Sequence, residues 1–178
     1  MFMRAAAILV AVSFAMVGDA WPSELRVQKM LGGRAELTVP VELALMDDET
    51  RRTRYPGEGG PSEVLADASG RVSIVAGIQK IPSRTIDEML SAMVAGIGRG
   101  RTFEAWHDKG KRIINGREFG FVEFTARATE ASVYNYIYFT FYGDQLIMFT
   151  VNSTTEKLPE WKTVLHDVVS STRILAAQ

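Results

Sequence analysis

The stretch "YNYIYFTFYGDQLIMFTVN", residues 134–152, decides the fold. It contains four tyrosines and three phenylalanines, and Asp144 is its only charged residue. Gly143-Asp144 separates two runs of β-forming residues, and a two-residue loop that begins with glycine favours a type II′ hairpin turn. The stretch therefore predicts a β-hairpin whose first pair beyond the turn is Tyr142 with Gln145.

This register assigns every side chain of the hairpin to one of two faces, because cross-strand pairs share a face. The first face carries Tyr134, Tyr136, Tyr138, Thr140, Ile147, Phe149 and Val151. The second face carries Ile137, Phe139, Phe141, Leu146, Met148 and Thr150. A hairpin with one solvated face would alternate apolar and polar residues. Both faces are predicted to be covered, with most of the tyrosines in the core.

The neighbouring sequence extends the hairpin into a sheet. Asn115-Gly116 is a strong signal for a tight hairpin turn. It predicts a four-stranded antiparallel meander from about residue 111 to 152. Three earlier segments, at 35–41, 62–66 and 71–76, have the composition of strands.

Two amphipathic segments predict helices. Thr85 and Glu88 form a capping box ahead of apolar residues at i, i+3, i+4 and i+7, and Gly98 and Gly100 end this helix. A second helix begins near Pro159, with its apolar stripe running from Trp161 to Val169, and stops at 170–171. The sequence thus predicts an α+β protein with an antiparallel sheet flanked by helices on both faces, a three-layer sandwich.

The N-terminus predicts export. Arg4, the apolar run 5–17 and the small residues of Gly18-Asp19-Ala20 have the anatomy of a signal peptide over residues 1–20; an uncleaved membrane anchor is the alternative. Residues 21–178 would then form a single domain. With no cysteine to accept a lipid, the mature protein is expected without stable membrane insertion, in the periplasm or secreted. Its net charge of −1 argues against a nucleic-acid binder.

The order of elements resembles the PsbP-like family, including its small exported bacterial members. The resemblance is carried by "RAELTVP", "RYPGEGGPSEVLADASGRVSIVAG", "RTIDEMLSAMVAGI", "INGREFGFVEF", the hairpin itself and a closing helix that ends in "SSTRI". It covers nearly all of residues 34–178. The resemblance implies a sheet flanked by helices and a non-enzymatic binding or accessory role, and it supplies no catalytic residues.

The candidate catalytic and metal-binding groups of the sequence favour a protein that is not an enzyme and has no cofactor. The two histidines, His107 and His166, lie far apart in the sequence and do not have the short spacing that is typical of two ligands to one metal ion. No metal site is therefore predicted. Gly96-Ile97-Gly98-Arg99-Gly100 lies at the end of a helix, whereas a dinucleotide-binding loop must open one. No Gly-x-Ser-x-Gly motif occurs.

The segment 51–61 is interpreted as a long basic loop. Its candidate binding residues are Arg51, Arg52, Arg54 and Tyr55, since arginines bind carboxylates and phosphates; a solvated connection is the alternative. The expected function is that of an exported, non-catalytic binding or accessory protein of the bacterial cell envelope with a protein partner. An immunity protein that neutralises a periplasmic toxin, and a hydrolase with an unrecognised site, remain alternatives.

Overall fold

The structure is a computed structural model that describes residues 24–57, 60–82 and 84–175. The predicted signal peptide, residues 1–20, and the predicted mature start at Trp21 lie outside the described residues. In chain order the elements are β1 (Leu25–Met30), β2 (Ala35–Pro40), β3 (Ala44–Leu45), α1 (Asp48–Arg54), β4 (Glu63–Ala66), β5 (Val72–Lys80), α2 (Ile86–Gly98), β6 (Phe103–Ile114), β7 (Arg117–Arg127), β8 (Ser132–Tyr142), β9 (Gln145–Thr154), α3 (Leu158–Ser171) and β10 (Arg173–Ile174).

A seven-stranded antiparallel sheet with the order β3-β4-β5-β9-β8-β7-β6 forms the centre of the protein. The predicted meander is confirmed as β6 to β9, and Tyr142 pairs with Gln145 as expected. Gly143 has a φ of 61°, which a type II′ turn requires at its first central position. Asn115 and Gly116 have φ values of 46° and 81°, so they form the type I′ turn that their sequence predicts.

The first face of this sheet is the main hydrophobic core. Tyr134, Tyr136, Tyr138 and Phe149 are 0% exposed, which confirms the predicted burial. Four residues of α3 are buried with them: Val164, Leu165, Val168 and Val169. The α+β class with antiparallel sheets is therefore confirmed.

A second, three-stranded antiparallel sheet of order β1-β2-β10 packs into the same core. Its residues Met30, Leu37 and Val39 are at most 1% exposed. The sequence predicts β2 but neither β1 nor β10. Strand β10 has only two residues, and in β1 the apolar residues Leu25 and Val27 are exposed, so its alternation does not mark a buried face.

The second face of the large sheet is covered less than the sequence predicts. The capping box of Thr85 and Glu88 begins α2 as expected, and α2 packs on β7 and β6 with Ile86 near Gly120. However, none of the described residues of α2 is buried. On the sheet, Phe139 is buried but Met148 and Thr150 are half-buried. The expectation that both faces of the hairpin are covered is met only in part on its second face.

Two further interpretations need correction. The segment 51–61 is not one long loop, because Arg51, Arg52 and Arg54 lie on α1, which Asp47 caps through a hydrogen bond from the Thr50 N–H. Strand β6 begins at Phe103 instead of about residue 111. Two register shifts in its first half, after Phe103 and after Trp106, interrupt the alternation of side chains between the two faces. A strictly alternating sequence pattern therefore does not reveal this part of the strand.

Candidate functional site: a groove on the second face

A groove of about 280 Å³ opens on the uncovered part of the second face. Its floor consists of side chains from the two central strands β5 and β9, and the segment at residues 60–61 forms one wall. Its lining includes Pro61, Val75, Gly77, Leu146, Met148 and Thr150. The groove is therefore shallow, mostly apolar and placed on a rigid sheet.

Gly77 creates much of the space in the groove. A Cβ atom at this position would meet no other atom within 4 Å, so a side chain there would point into open space. Glycine in the middle of a strand weakens that strand and often marks a place where another molecule approaches closely. The floor around Gly77 carries no charged side chain. The surface thus fits an uncharged, apolar contact.

The wall of the groove is held by the first of the candidate arginines. Arg51 donates a hydrogen bond from Nη1 to the Pro61 carbonyl oxygen at 2.6 Å, and its Nη2 lies 2.9 Å from Oδ1 of Asp48. Arg51 therefore joins α1 to the segment that borders the groove. The sequence predicts Arg51 as a binding residue, and its contacts give it a positioning role that no local pattern reveals.

The other candidate residues have different surroundings. Tyr55 is half-buried at the end of α1, and its carbonyl oxygen would lie 3.1 Å from a Cβ atom at Gly60 in the wall. Arg54 donates to the Gly70 carbonyl oxygen at 3.1 Å, whereas Arg52 is exposed and lies 3.8 Å from Asp48. The structure thus brings Arg51 and Tyr55 to the wall and directs Arg54 elsewhere. The role of all four residues in binding stays a prediction.

The contacts of two of these arginines predict unequal effects on stability. We expect Arg51→Ala to lower the free energy of unfolding by about 1 kcal/mol, since it removes hydrogen bonds from a partly buried group. The matched variant Arg52→Ala should change it by less than about 0.5 kcal/mol, because an exposed ion pair contributes little. Urea denaturation of both proteins measures this. Equal losses would contradict the positioning role of Arg51.

A separate polar cluster lies on the first face, between α3 and the sheet. The Tyr134 hydroxyl donates to Oε2 of Glu123 at 2.8 Å and lies 3.2 Å from Nε2 of His166. Nε2 of His166 is 3.8 Å from the same carboxylate oxygen, and Glu123 is 4% exposed. The ring of His107 packs near that of Tyr134, and its Nε2 is 2.7 Å from Oγ1 of Thr125. The fold therefore brings both histidines to one tyrosine, which their sequence separation did not predict.

Burial determines the protonation of this cluster. It raises the pKa of the Tyr134 hydroxyl, and the hydrogen bond to Glu123 raises it further, so this tyrosine stays a hydrogen-bond donor. Burial also raises the pKa of Tyr136, whose hydroxyl has no hydrogen-bond partner among the described residues. Burial lowers the pKa of His166, against the opposing attraction of Glu123. His166 is therefore a neutral hydrogen-bonding partner at pH 7.

The shifted pKa of His166 predicts a pH dependence of stability. As the pH falls below 6.5, the ordinary value, the unfolded chain takes up a proton at this residue before the folded protein does. Stability should then fall until the pH reaches the folded pKa. We expect His166→Gln to reduce the loss of stability between about pH 7.5 and pH 5.5, as measured by urea denaturation at each pH. His107→Gln is the control, and a His166→Gln profile parallel to wild type would contradict the prediction.

This cluster does not supply a set of metal ligands among the described residues. Within residues 24–57, 60–82 and 84–175, no group of three or more His, Cys, Asp or Glu side chains could hold a metal ion. The Glu123 carboxylate is buried and accepts a hydrogen bond from the Tyr134 hydroxyl. Its contacts are those of a buried hydrogen-bond network that fixes α3 on the sheet.

No helix in the described parts of the chain has the length and apolar character that crossing a bilayer would need. No protein-family model matches the chain, and no curated protein sequence matches it significantly.

Comparison with solved structures identifies the fold. Cyanobacterial PsbP (CyanoP) from Synechocystis sp. PCC 6803 superimposes with a TM-score of 0.60 and 13% identity over 94% of this chain and 99% of that chain. The fold is PsbP-like. The resemblance found in the sequence is thereby confirmed for the fold, although so low an identity transfers no activity.

The PsbP-like fold also occurs in proteins of other descriptions. LpqN of Mycobacterium tuberculosis, described as involved in cell envelope biogenesis, matches with a TM-score of 0.59 and 12% identity, over 80% of this chain and 83% of that one. The Ran-binding protein Mog1p of Saccharomyces cerevisiae matches with a TM-score of 0.53 and 11% identity, over 85% of this chain and 95% of that one. The fold is thus shared by a Ran-binding protein and by a protein involved in cell envelope biogenesis.

Proposed function

We propose that this PsbP-like protein is an exported, non-catalytic binding protein of the bacterial cell envelope, and that the groove on the second face is its binding surface. The observation that carries the proposal is the open, uncharged floor formed by β5 and β9 beside Pro61. Apolar surface of this kind, set on a rigid sheet, favours a partner that excludes water from it. In the histidine cluster, in contrast, the Glu123 carboxylate and the Tyr134 hydroxyl are buried and already hydrogen-bonded to each other.

The descriptions of two proteins with this fold support a binding role. Mog1p is a Ran-binding protein, and LpqN is involved in cell envelope biogenesis. Neither description names a catalysed reaction. Fold alone does not determine function, so the proposal depends on the groove and uses these proteins as support.

The predicted organisation of the chain belongs to the same proposal. Residues 1–20 are a cleaved signal peptide and residues 21–178 are one domain with a three-layer arrangement, in which α2 is the partial third layer. Helix α1 supplies a charged rim beside the groove, where Arg52 is exposed and Tyr55 is half-buried. The partner is a protein that contacts the groove with apolar groups and the rim with acidic ones.

The export step is tested by producing the full chain in a bacterium with an outer membrane and sequencing the N-terminus of the recovered protein. We expect a mature protein that starts near Trp21 and appears in the periplasmic fraction. A full-length protein retained in the membrane fraction would disprove this part of the proposal.

The binding surface is tested by placing the photoreactive residue p-benzoylphenylalanine at position 75, on the groove floor. Position 113 is the matched control, because Ile113 is apolar and 67% exposed on a different strand. We expect a discrete cross-linked protein from position 75 that is absent from position 113. Once purified, that protein should bind the wild type and bind Gly77→Trp at least about tenfold more weakly, a loss of about 1.4 kcal/mol. Equal binding to both would exclude the groove.

A further inference from the structure

The second face of the large sheet has a helix over one half, whereas the other half carries the groove. Helix α2 packs on β7 and, less extensively, on β6. The groove lies over β5 and β9, on the far side of β8, and no helical residue lines it in the described part of the chain. Helix α3 packs on the opposite face, where Leu165 belongs to the same core cluster as Tyr138.

The spacing between these elements matches that of two helices packed side by side. Neighbouring strands lie about 4.8 Å apart, so β9, two strands away from β7, is about 10 Å from it. Helices that pack on each other have axes about 8–10 Å apart. A helix placed next to α2 on the same face would therefore lie along β9, which is where Leu146, Met148 and Thr150 line the groove.

The backbone of the groove floor restricts what can occupy it. Strand β5 pairs with β4 and β9, and β9 pairs with β5 and β8, so both strands are inner strands. Their N–H and C=O groups are used within the sheet, and an extended peptide laid on the floor would bury its own polar backbone without partners. An α-helix satisfies its backbone internally and can bury one apolar face.

The charges around the groove indicate which side chains a helix bound there must present to the floor. The floor presents Val75, Gly77 and Met148 and no charged group, so a charged side chain buried there would lose its hydration without an ion-pair partner. At the ends of the two floor strands, Lys80 and Asp144 are exposed and already paired with each other at 2.9 Å. The occupant must therefore present an uncharged apolar stripe.

We propose that the groove binds an amphipathic α-helix of a partner protein, which lies beside α2 and completes the helical layer of the second face. This inference rests on the proposed function and names the structural class of its partner. It also accounts for the apolar stripe of α2, including Met89, Leu90 and Met93, which remains half-buried as expected for a helix with no helical neighbour.

Two peptide display libraries test the proposal against the mature protein. One library has helix-forming peptides of about five turns randomised at the i, i+3, i+4 and i+7 positions, and the other has extended peptides with randomised alternate positions. We expect binders from the helical library, and we expect Gly77→Trp to weaken them at least about tenfold. A Cβ atom at position 77 would meet no other atom within 4 Å, so a tryptophan side chain there extends into the groove. Gly77→Ser, which leaves the groove open, is the matched control.

A second variant keeps the proposal testable if the Gly77→Trp protein does not fold. Met148→Lys places a charge on the half-buried floor and should abolish the same binding while thermal melting remains cooperative. Binders obtained from the extended library alone, or helical binders insensitive to both variants, would overturn the inference.

The remaining outcomes separate this inference from the proposed function. Light scattering of the mature protein measures its oligomeric state, and a dimer that Gly77→Trp dissociates would show a second copy in the groove and overturn the inference. A cross-linked partner whose contact segment is extended would leave the proposed function standing and disprove the helix.

Discussion

Phe149→Ala should lower the free energy of unfolding by about 3–5 kcal/mol, which is the usual cost of removing a buried aromatic ring. Phe149 is 0% exposed, and its ring stacks on that of Tyr138 with centroids 5.0 Å apart. Tyr138 is itself held by a hydrogen bond to Thr172, so it cannot move freely into the space that the missing ring leaves. A loss of this size approaches the whole stability of a small domain.

The same substitution on the other face provides the comparison. Phe139 is also 0% exposed, so Phe139→Ala should cost about 3–5 kcal/mol even though the second face is partly open. Phe141 is half-buried near the end of the same strand and serves as the control. Phe141→Ala should lower the free energy of unfolding by less than Phe139→Ala does. Urea denaturation measures all three variants. A loss below about 1 kcal/mol at either Phe139 or Phe149 would mean that its face is solvated.

Gly120→Val should have the second large effect, because α2 rests on this glycine. A Cβ atom at position 120 would lie 2.9 Å from Cγ2 of Ile86 and 2.9 Å from Cε1 of Phe139. Both distances are far below normal contact, and overpacking of this kind costs about 1–3 kcal/mol. The substitution should also push the start of α2 away from β7, since Ile86 is its first residue.

The control for this prediction is Gly110→Ala on the neighbouring strand. There a Cβ atom would lie 3.6 Å from the ring of Phe121, an ordinary van der Waals contact. Urea denaturation gives the loss of stability, and amide hydrogen exchange across α2 reports its displacement. Similar stability and exchange in the two variants would show that α2 does not depend on close approach at Gly120.

The elements predicted correctly are those whose signals are local. The turns at Gly143-Asp144 and Asn115-Gly116 need particular backbone angles that their residues supply, and they determine the register of the meander. The capping box at Thr85 likewise satisfies backbone donors within one turn of the helix. Helix α1 was missed because it is seven residues long and has no buried residue, so no apolar stripe distinguishes it from a solvated loop.

The candidate site depends on information that no short segment contains. The apolar stripe of α2 predicts that one side of this helix is buried. It does not predict that the chain has no second helix to cover the rest of the same sheet face, because that depends on the whole described chain. The floor of the groove combines Val75 with Met148, and Arg51 reaches its wall through Pro61. The meeting of both histidines at Tyr134 has the same origin, because tertiary packing brings together residues that are distant in sequence.

The order of strands in the large sheet also has a consequence for how the chain folds. Strands β6 to β9 are joined by short connections, so their hairpins can close quickly and at little entropic cost. Strand β5 must instead find β9 across a long loop that contains α2 and three strands, so that Lys80 meets Gln145 and Val72 meets Ser153. Until that ladder closes, β9 is an unpaired edge rich in β-forming residues, to which a second chain could add. We therefore expect the pairing of β5 with β9 to be the step at which correct folding competes with aggregation.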